Sequence, residues 1–407
     1  MENNNNEFEF TPKKRKKTVY IVLGAFVFFI LGYSLAYFNF TRSYFSIPVK
    51  DAIQMSLIDQ YIKKNYYTDY DRNALYEYAK EGMVYGLEDP YSYYLDKSSN
   101  ESYDENITGN YVGIGVTLTP GENGEIRVLS PFDGSPAQKA GIQADDILYK
   151  VNDKEYTYEN VDEAVSIMRG KKGEKVKLEL IREGSDNIVV EVERSDIELP
   201  SVESSQIGDN IICFRISRFD VTTGDDFVAE FEKYKTDKNT KVIIDLRDNP
   251  GGVVTSALKI ADYFIDSGIL MTEKYRNADD VVHKADSEAA DISYPIVILG
   301  NGNSASASEI VTGALKDNKK AILIGETTYG KGILNQKFPT GDDTAIVLSV
   351  GEYTTPSGKS IHKKGITPDI EVSLPEEFKR KSISSLTIEQ DTQLKKALEY
   401  LTKGDTE

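Results

Sequence analysis

Three short apolar runs in the second half of the chain constrain its fold more than any other feature. VIIDLR (242–247), PIVILG (295–300) and AILIG (321–325) lack the polar alternation of a strand with one wet face. Each therefore reads as a strand covered on both faces, as in a parallel sheet. Helical periodicity follows the first run from Val254 to Ile265. It follows the second after NGNSASAS, where Ile310, Val311, Ala314 and Leu315 share one face. This alternation, from Ile211 onward, predicts an α/β core. Each strand ends in a Gly- or Ser-rich loop, DNPGG, NGNSASAS or ETTYGKG, at the C-terminal edge where open α/β sheets carry their ligand sites.

The segment from about Thr108 to Ser195 has a different grammar. YVGIGVTL, EIRVLS, DDILYKVND, KVKLELIR and NIVVEVE are short β runs, interrupted by helical pieces at Pro136 to Ala140 and Val161 to Met168 that Gly141 and Gly170 close. The order, with Gly113-Ile114-Gly115 and SPAQKAGIQADDILYKVN, resembles a PDZ domain, which implies a site for a peptide C-terminus. Val112, Gly113, Ile114 and Gly115 form the candidate nest: successive N–H groups in a glycine-permitted turn bind a carboxylate, and the adjoining strand edge takes the peptide. Outside such a pattern a Gly-x-Gly step only bends a strand.

The amino-terminal end is of another kind. Five consecutive basic residues, Lys13 to Lys17, face three acidic ones within residues 1–40, and Thr18 to Phe40 carries no charge. That stretch matches the ~20 residues of a membrane-crossing helix, and the basic flank predicts a cytoplasmic start with everything after Phe40 outside. A cleaved signal peptide, ending near Ser34-Leu35-Ala36, and a buried core helix are the competing readings. Two amphipathic helices follow, one with Ile53, Leu57, Ile58, Tyr61 and Ile62 in register and one from Ala74 to Leu87. They read either as a packing or homodimerisation region or as a cap on the next domain.

Composition narrows the chemistry. With 48 basic and 66 acidic side chains the net charge is -18, which argues against a nucleic-acid partner. One cysteine, Cys213, excludes an intrachain disulfide, and two histidines, His283 and His362, exclude a zinc site of Cys and His alone. No metal or other cofactor is expected. GETTYGK (325–331) fits a Walker A loop, but Gly332 stands where Ser or Thr would bind magnesium, and β-like ILNQKF follows where a P-loop needs a helix. Ser306-x-x-Glu309 is a capping box, so Ser306 is either a helix cap or a nucleophile whose own helix supplies N–H groups to an oxyanion. Neither histidine lies in the three loops. Lys331 is the remaining base, on the condition that burial disfavours its charged form; otherwise it is a solvated loop lysine.

SASASEI, the 25-residue step from Ser306 to Lys331, TYGKG, DLRDNPGG, GLEDPYSYYL (86–95) and TPSGKSIHKKGITPDIEV (355–372) together resemble the carboxy-terminal processing peptidases, or tail-specific proteases. The resemblance implies a Ser306 nucleophile, a Lys331 general base, and an oxyanion hole from the Ala307 N–H with that of Gly251 or Gly252. It also implies that Arg169 links peptide docking to catalysis. The family's lysine-orienting glutamine is here Asn335, followed by Gln336, which leaves that role open between the two. The expected organisation is multidomain α/β: a cytoplasmic tail (1–17), a transmembrane anchor (18–40), a helical region (45–107), a PDZ domain (108–197), a peptidase core (198–375) and a C-terminal helical tail (376–407). The expected partners are proteins or peptides with free C-termini and a membrane. A PDZ scaffold that has lost activity, and a nucleotide hydrolase, are the alternatives.

Overall fold

The computed structural model describes residues 20, 22–34, 47–121, 123–132, 134–184, 187–208, 210–234, 240–286, 289–290, 292–293 and 295–403. The chain divides into two compact units, 1–75 and 76–407. In the first, residues 22–34 are helical and exposed. The ends of the predicted 18–40 span lie outside the described residues, and no helix among those described is long and apolar enough to cross a membrane. Helix α1 (Val49–Asn65) follows Pro48, with Asp51 in its first turn and Lys63 and Lys64 in its last, as the helix dipole favours. It buries none of its residues, so the predicted apolar face faces outward in this unit: Ile53, Leu57, Ile58 and Tyr61 are all exposed. Helix α2 (Arg72–Tyr85) starts and ends two residues before the predicted bounds.

In the second unit the first elements are β1 (Tyr93–Leu95), α3 (Lys97–Thr108) and β2 (Asn110–Gly113). Helix α3 is capped by the Asp96 carboxylate, which takes the Ser99 N–H, and closed by left-handed Gly109. The run YVGIGVTL was expected as one strand and is two, because the chain breaks pairing at Ile114-Gly115, where Gly115 has φ +76°. Strand β2 pairs with β9 (Ser195–Glu198), while β3 (Val116–Pro120) opens a separate sheet. That sheet runs β3-β4-β5-β7-β8, through β4 (Ile126–Pro131), α4 (Pro136–Lys139), β5 (Ile147–Val151), β6 (Lys154–Glu155), α5 (Val161–Met168), β7 (Lys175–Ile181) and β8 (Ile188–Glu193). Its core is Ile126, Val128, Leu148, Val176, Leu178 and Leu180 with Ala164 and Met168 of α5, the small β domain expected.

The core domain continues with β10 (Val202–Ile207), β11 (Ile211–Ile216), α6 (Thr223–Tyr234), β12 (Lys241–Asp245), α7 (Val254–Phe264), β13 (Gly268–Tyr275), β14 (Val281–Ala285), β15 (Ile296–Gly300), α8 (Ala307–Asp317), β16 (Ala321–Gly325), β17 (Ile333–Gly341), β18 (Thr344–Thr354), β19 (Ile370–Glu371) and α9 (Thr392–Lys403). The main sheet is ordered β10-β11-β12-β15-β16-β19, parallel except for β10. Every residue of β12 and β15 is buried, as two covered faces require. Period-two alternation sends Val242, Ile244, Ile296 and Ile298 toward α6, α7 and α8. It sends Ile243, Val297 and Leu299 toward Ala397 and Leu401 of α9. The C-terminal helix, expected as a tail, is thus the second cover of the sheet. A smaller sheet of β1, β13, β14, β17 and β18 flanks this core.

Candidate active site

Because β12, β15 and β16 are neighbours in the sheet, the loops that follow them meet at one edge. Asn249, fully buried in the first loop, ties it to the second: its carbonyl takes the Ala305 N–H and the Ser308 hydroxyl, each at 3.0 Å. Its side chain donates to the Ile216 carbonyl at 2.8 Å and accepts the Gly251 N–H at 2.8 Å. Gly251, at φ +98°, lies so close that an added Cβ would sit 2.7 Å from the Ser306 Cβ and 2.9 Å from the Ala307 nitrogen. At Gly252 an added Cβ would sit 1.9 Å from the Phe219 oxygen. Only glycine permits this approach. The two glycines are not equivalent, since the Gly251 N–H is committed to Asn249, while those of Gly252 and Ala307 have no partner among the described residues.

Ser306 stands between β15 and α8 with φ +53° and ψ -114°, a conformation rare outside glycine that surrounding contacts must hold. The predicted capping box forms, with the Ser306 N–H on Glu309 Oε2 at 3.0 Å. The flanking serines are buried tethers: Ser304 Oγ donates to the Leu246 carbonyl at 2.7 Å, and Ser308 Oγ holds Asn249. Of the three, Ser306 alone is partly exposed.

Glu309 does far more than cap a helix. Fully buried, it accepts the Lys331 N–H on Oε2 at 2.9 Å, the Gly330 N–H on Oε1 at 2.8 Å and the Thr328 hydroxyl on Oε1 at 2.6 Å. One carboxylate oxygen therefore binds the backbone nitrogens of both Ser306 and Lys331. Tyr353, also buried, repeats the link: its hydroxyl lies 3.0 Å from the carbonyls of Ser306 and of Lys331. The 355–372 segment braces the same loop, with the Ile366 N–H on the Thr328 hydroxyl at 2.7 Å and the Lys363 N–H on the Gly330 carbonyl at 2.8 Å. The residue after Gly332 starts β17, so no helix is there to receive phosphates, and the Walker A reading ends.

Burial depresses the Lys331 ammonium below the ordinary lysine range, opposed only by the charge of Asp89. Its Nζ lies 5.4 Å from the ring centre of Tyr91, in the GLEDPYSYYL segment. Asn335 reaches that segment, not the lysine: its amide donates to the Tyr91 carbonyl at 2.8 Å. Gln336 is exposed, and the β17–β18 ladder shifts register between Leu334 and Asn335, where Val350 of β18 is the extra residue. His362 packs its ring on Tyr91, centroids 5.9 Å apart, and its Nδ1 is buried without a hydrogen bond among the described residues. Sequence reasoning missed Tyr91, Tyr353, Asn249 and His362, and gave Glu309 only its capping role.

In the small β domain a 370 Å³ groove runs between β3 and α5, lined by Ile114, Val116, Leu118, Val161, Val165 and Met168. Gly113, Gly115 and Arg169 border it, and the N–H groups of Ile114 and Gly115 have no partner among the described residues. Val112 does not join them: paired with Asp196 in the β2–β9 ladder, it lines a neighbouring cavity. Arg169, at the end of α5, lies 2.6 Å from Glu105 of α3 and 4.9 Å from the centre of the Tyr111 ring.

The sequence model of peptidase family S41 matches residues 210–372, that of a PDZ domain 127–182, and that of the activating protease CtpB N-terminal domain 50–99. The carboxy-terminal processing protease CtpA of Bacillus subtilis is 40% identical over 316 residues, spanning 77% of this chain and 67% of that protein. The probable CtpA-like serine protease of Staphylococcus aureus is 34% identical over 369 residues, 89% of this chain and 73% of that protein. A Bacteroides fragilis structure described as an S41 protease has a TM-score of 0.52 at 18% identity, covering 79% of this chain and 90% of that one, a likeness of fold. With a PDZ domain beside an S41 core, and with these relatives, the chain belongs to the carboxy-terminal processing serine peptidases of family S41.

Proposed function

We propose that this peptidase is a membrane-anchored endopeptidase that captures protein C-terminal tails in its PDZ groove and cleaves them with Ser306 and Lys331. The observation that carries the reading is the shared anchoring of these two residues: Glu309 Oε2 takes both N–H groups, and the Tyr353 hydroxyl meets both carbonyls. A lysine whose charged form is disfavoured by burial holds more free amine at a given pH than an exposed one, which suits it to act as a base. The neutral amine takes the Ser306 hydroxyl proton as Oγ attacks the peptide carbonyl. The oxyanion is received by the N–H groups of Ala307 and Gly252, and Lys331 returns the proton to the leaving amine. Water, deprotonated by the same amine, then releases the acyl group and restores Ser306.

The groove's apolar lining suits a tail ending in an apolar side chain, with its carboxylate on the Ile114 and Gly115 N–H groups. Residues 18–40 would anchor the chain with its catalytic part outside, and the exposed apolar residues of α1 would serve a homodimer. Cleavage of a peptide with a free apolar C-terminus, compared between the parent chain and Ser306→Ala, tests the chemistry. A fully active Ser306→Ala would assign the nucleophile elsewhere. A folded parent with no cleavage at any pH would favour the inactive scaffold.

A further inference from the structure

We propose that Asp391, at the head of the C-terminal helix, is a positioning residue for hydrolysis: gripping Arg247 from outside the family match, it holds the 248–252 loop against Ser306. The inference rests on the Ser306 reading above. The alternation that turns Ile243 toward α9 turns Asp245 and Arg247 the same way, and Arg247 is 1% exposed. Its Nε and Nη2 bind the two oxygens of Asp245 at 2.9 and 2.7 Å. Those bonds run to a residue two positions back, the last of β12, so they shape the turn locally. Leu246 and Asp248 tie the turn to the 299–304 segment in front, and Nη1 ties it to the helix behind: it donates to Asp391 Oδ1 at 2.8 Å and Gln393 Oε1 at 3.1 Å, both nearly fully buried.

The helix that offers these acceptors is itself fixed. The same Asp391 oxygen caps it by taking the Leu394 N–H at 2.9 Å, and Gln393 donates to the Val372 carbonyl at 2.8 Å. At the other end, Lys241, the first residue of β12, donates from Nζ to the Leu401 carbonyl at 2.8 Å. Strand β12 and α9 are thus bonded at both ends, and the loop β12 delivers is held from behind by Arg247 and in front by Asn249. Since α9 begins beyond residue 372, where the S41 match ends, this brace comes from outside that match.

The test uses the full chain and Asp391→Asn. Asparagine still caps α9 as well as aspartate does, so the helix keeps its start while Arg247 loses one of its two charged partners and keeps Asp245. A loosened oxyanion loop predicts a kcat lower by about tenfold to a hundredfold, with KM and the affinity for a tail peptide within about twofold of the parent. Thr392→Ala is the control: it removes the bond to the Ser373 carbonyl at the same helix end without touching Arg247, and should leave kcat within about twofold. A folded Asp391→Asn with parental kcat overturns the inference, as does an equal fall in Thr392→Ala. If Asp391→Asn does not fold, Gln393→Met, which removes the second contact to Nη1 together with the bond to the Val372 carbonyl, carries the test with a smaller expected fall in kcat, and Thr392→Ala again controls for a looser helix end. An active Ser306→Ala would sink the nucleophile reading instead, whereas an inactive Ser306→Ala beside a parental Asp391→Asn sinks only the positioning role.

Discussion

Glu309→Gln exchanges one buried carboxylate oxygen for an NH₂ group, and the four donors around it decide the outcome. Oε2 receives the N–H groups of Ser306 and Lys331, and Oε1 those of Gly330 and the Thr328 hydroxyl. Backbone N–H groups cannot turn away, so the amide keeps its oxygen at the Oε2 place. Its NH₂ then faces the Gly330 N–H and a hydroxyl already receiving the Ile366 N–H. Two charge-assisted hydrogen bonds, each worth about 1.5–3 kcal/mol, are lost. The lower cost of burying a neutral amide offsets part of this, leaving a net loss of roughly 2–4 kcal/mol. At about 2–4 °C per kcal/mol for a domain of this size, the melting temperature of the core falls by about 5–15 °C. A shift of the Gly330-Lys331 backbone of about 1 Å relative to Ser306 is worth roughly a hundredfold in rate. Calorimetry gives the first number and steady-state cleavage of a free-tailed peptide the second, while tail binding to the PDZ groove should be unchanged. A variant with its melting temperature within about 2 °C and its kcat within about threefold of the parent would refute the idea that one carboxylate organises both residues.

Lys331→Met should abolish cleavage, by about a thousandfold or more for loss of the base, and should raise the melting temperature at neutral pH. The folded-state pKa of Lys331 is lowered by burial, so between that value and the ordinary one near ~10.4 the unfolded chain binds the extra proton and parental stability rises with pH. Below the window the destabilisation is complete and constant, and methionine has no charge to desolvate. Melting curves of both proteins from pH 6 to 9, with acylation rates that climb over the same range, check this; a flat parental rate profile would remove the lysine base. Ser308→Ala loses one buried hydroxyl-to-carbonyl bond, about 1 kcal/mol in stability, and Ser304→Ala loses such a bond and the acceptor of the Asn301 N–H, about 2 kcal/mol; both should keep a good part of the activity by the same peptide assay. Gly115→Ala drives a Cβ to 2.6 Å from the Ser135 Cβ at a left-handed φ. Titration with a labelled tail peptide should show affinity down by about tenfold or more.

Much of the site could be read from residues because its chemistry is local in sequence. The Gly- and Ser-rich loops, the capping box, and the lack of a histidine in those loops all point to Ser306 and Lys331 before any contact is known. The misreadings share one cause: they depend on which way a side chain faces after a bend. YVGIGVTL breaks at Gly115 and moves Val112 out of the groove, and beside the register shift between β17 and β18 Gln336 is left outside and Asn335 against Tyr91. Between Gly251 and Gly252 the motif offers no choice, and the commitment of one N–H to Asn249 separates them.

The sequence by itself determined the strands, their loops and the residue types available for chemistry, because apolar runs and glycine placement act over a few neighbours. Only the tertiary structure decided which distant groups share those loops. The sheet order sets β12, β15 and β16 side by side, Glu309 and Tyr353 bind Ser306 and Lys331 through the same atoms, and Tyr91 lies beside the lysine. The C-terminal helix shows the divide most clearly. Its amphipathic pattern is legible, but the grip of Asp391 on Arg247, 144 residues away, is not, because a buried charge selects its partner by position in space.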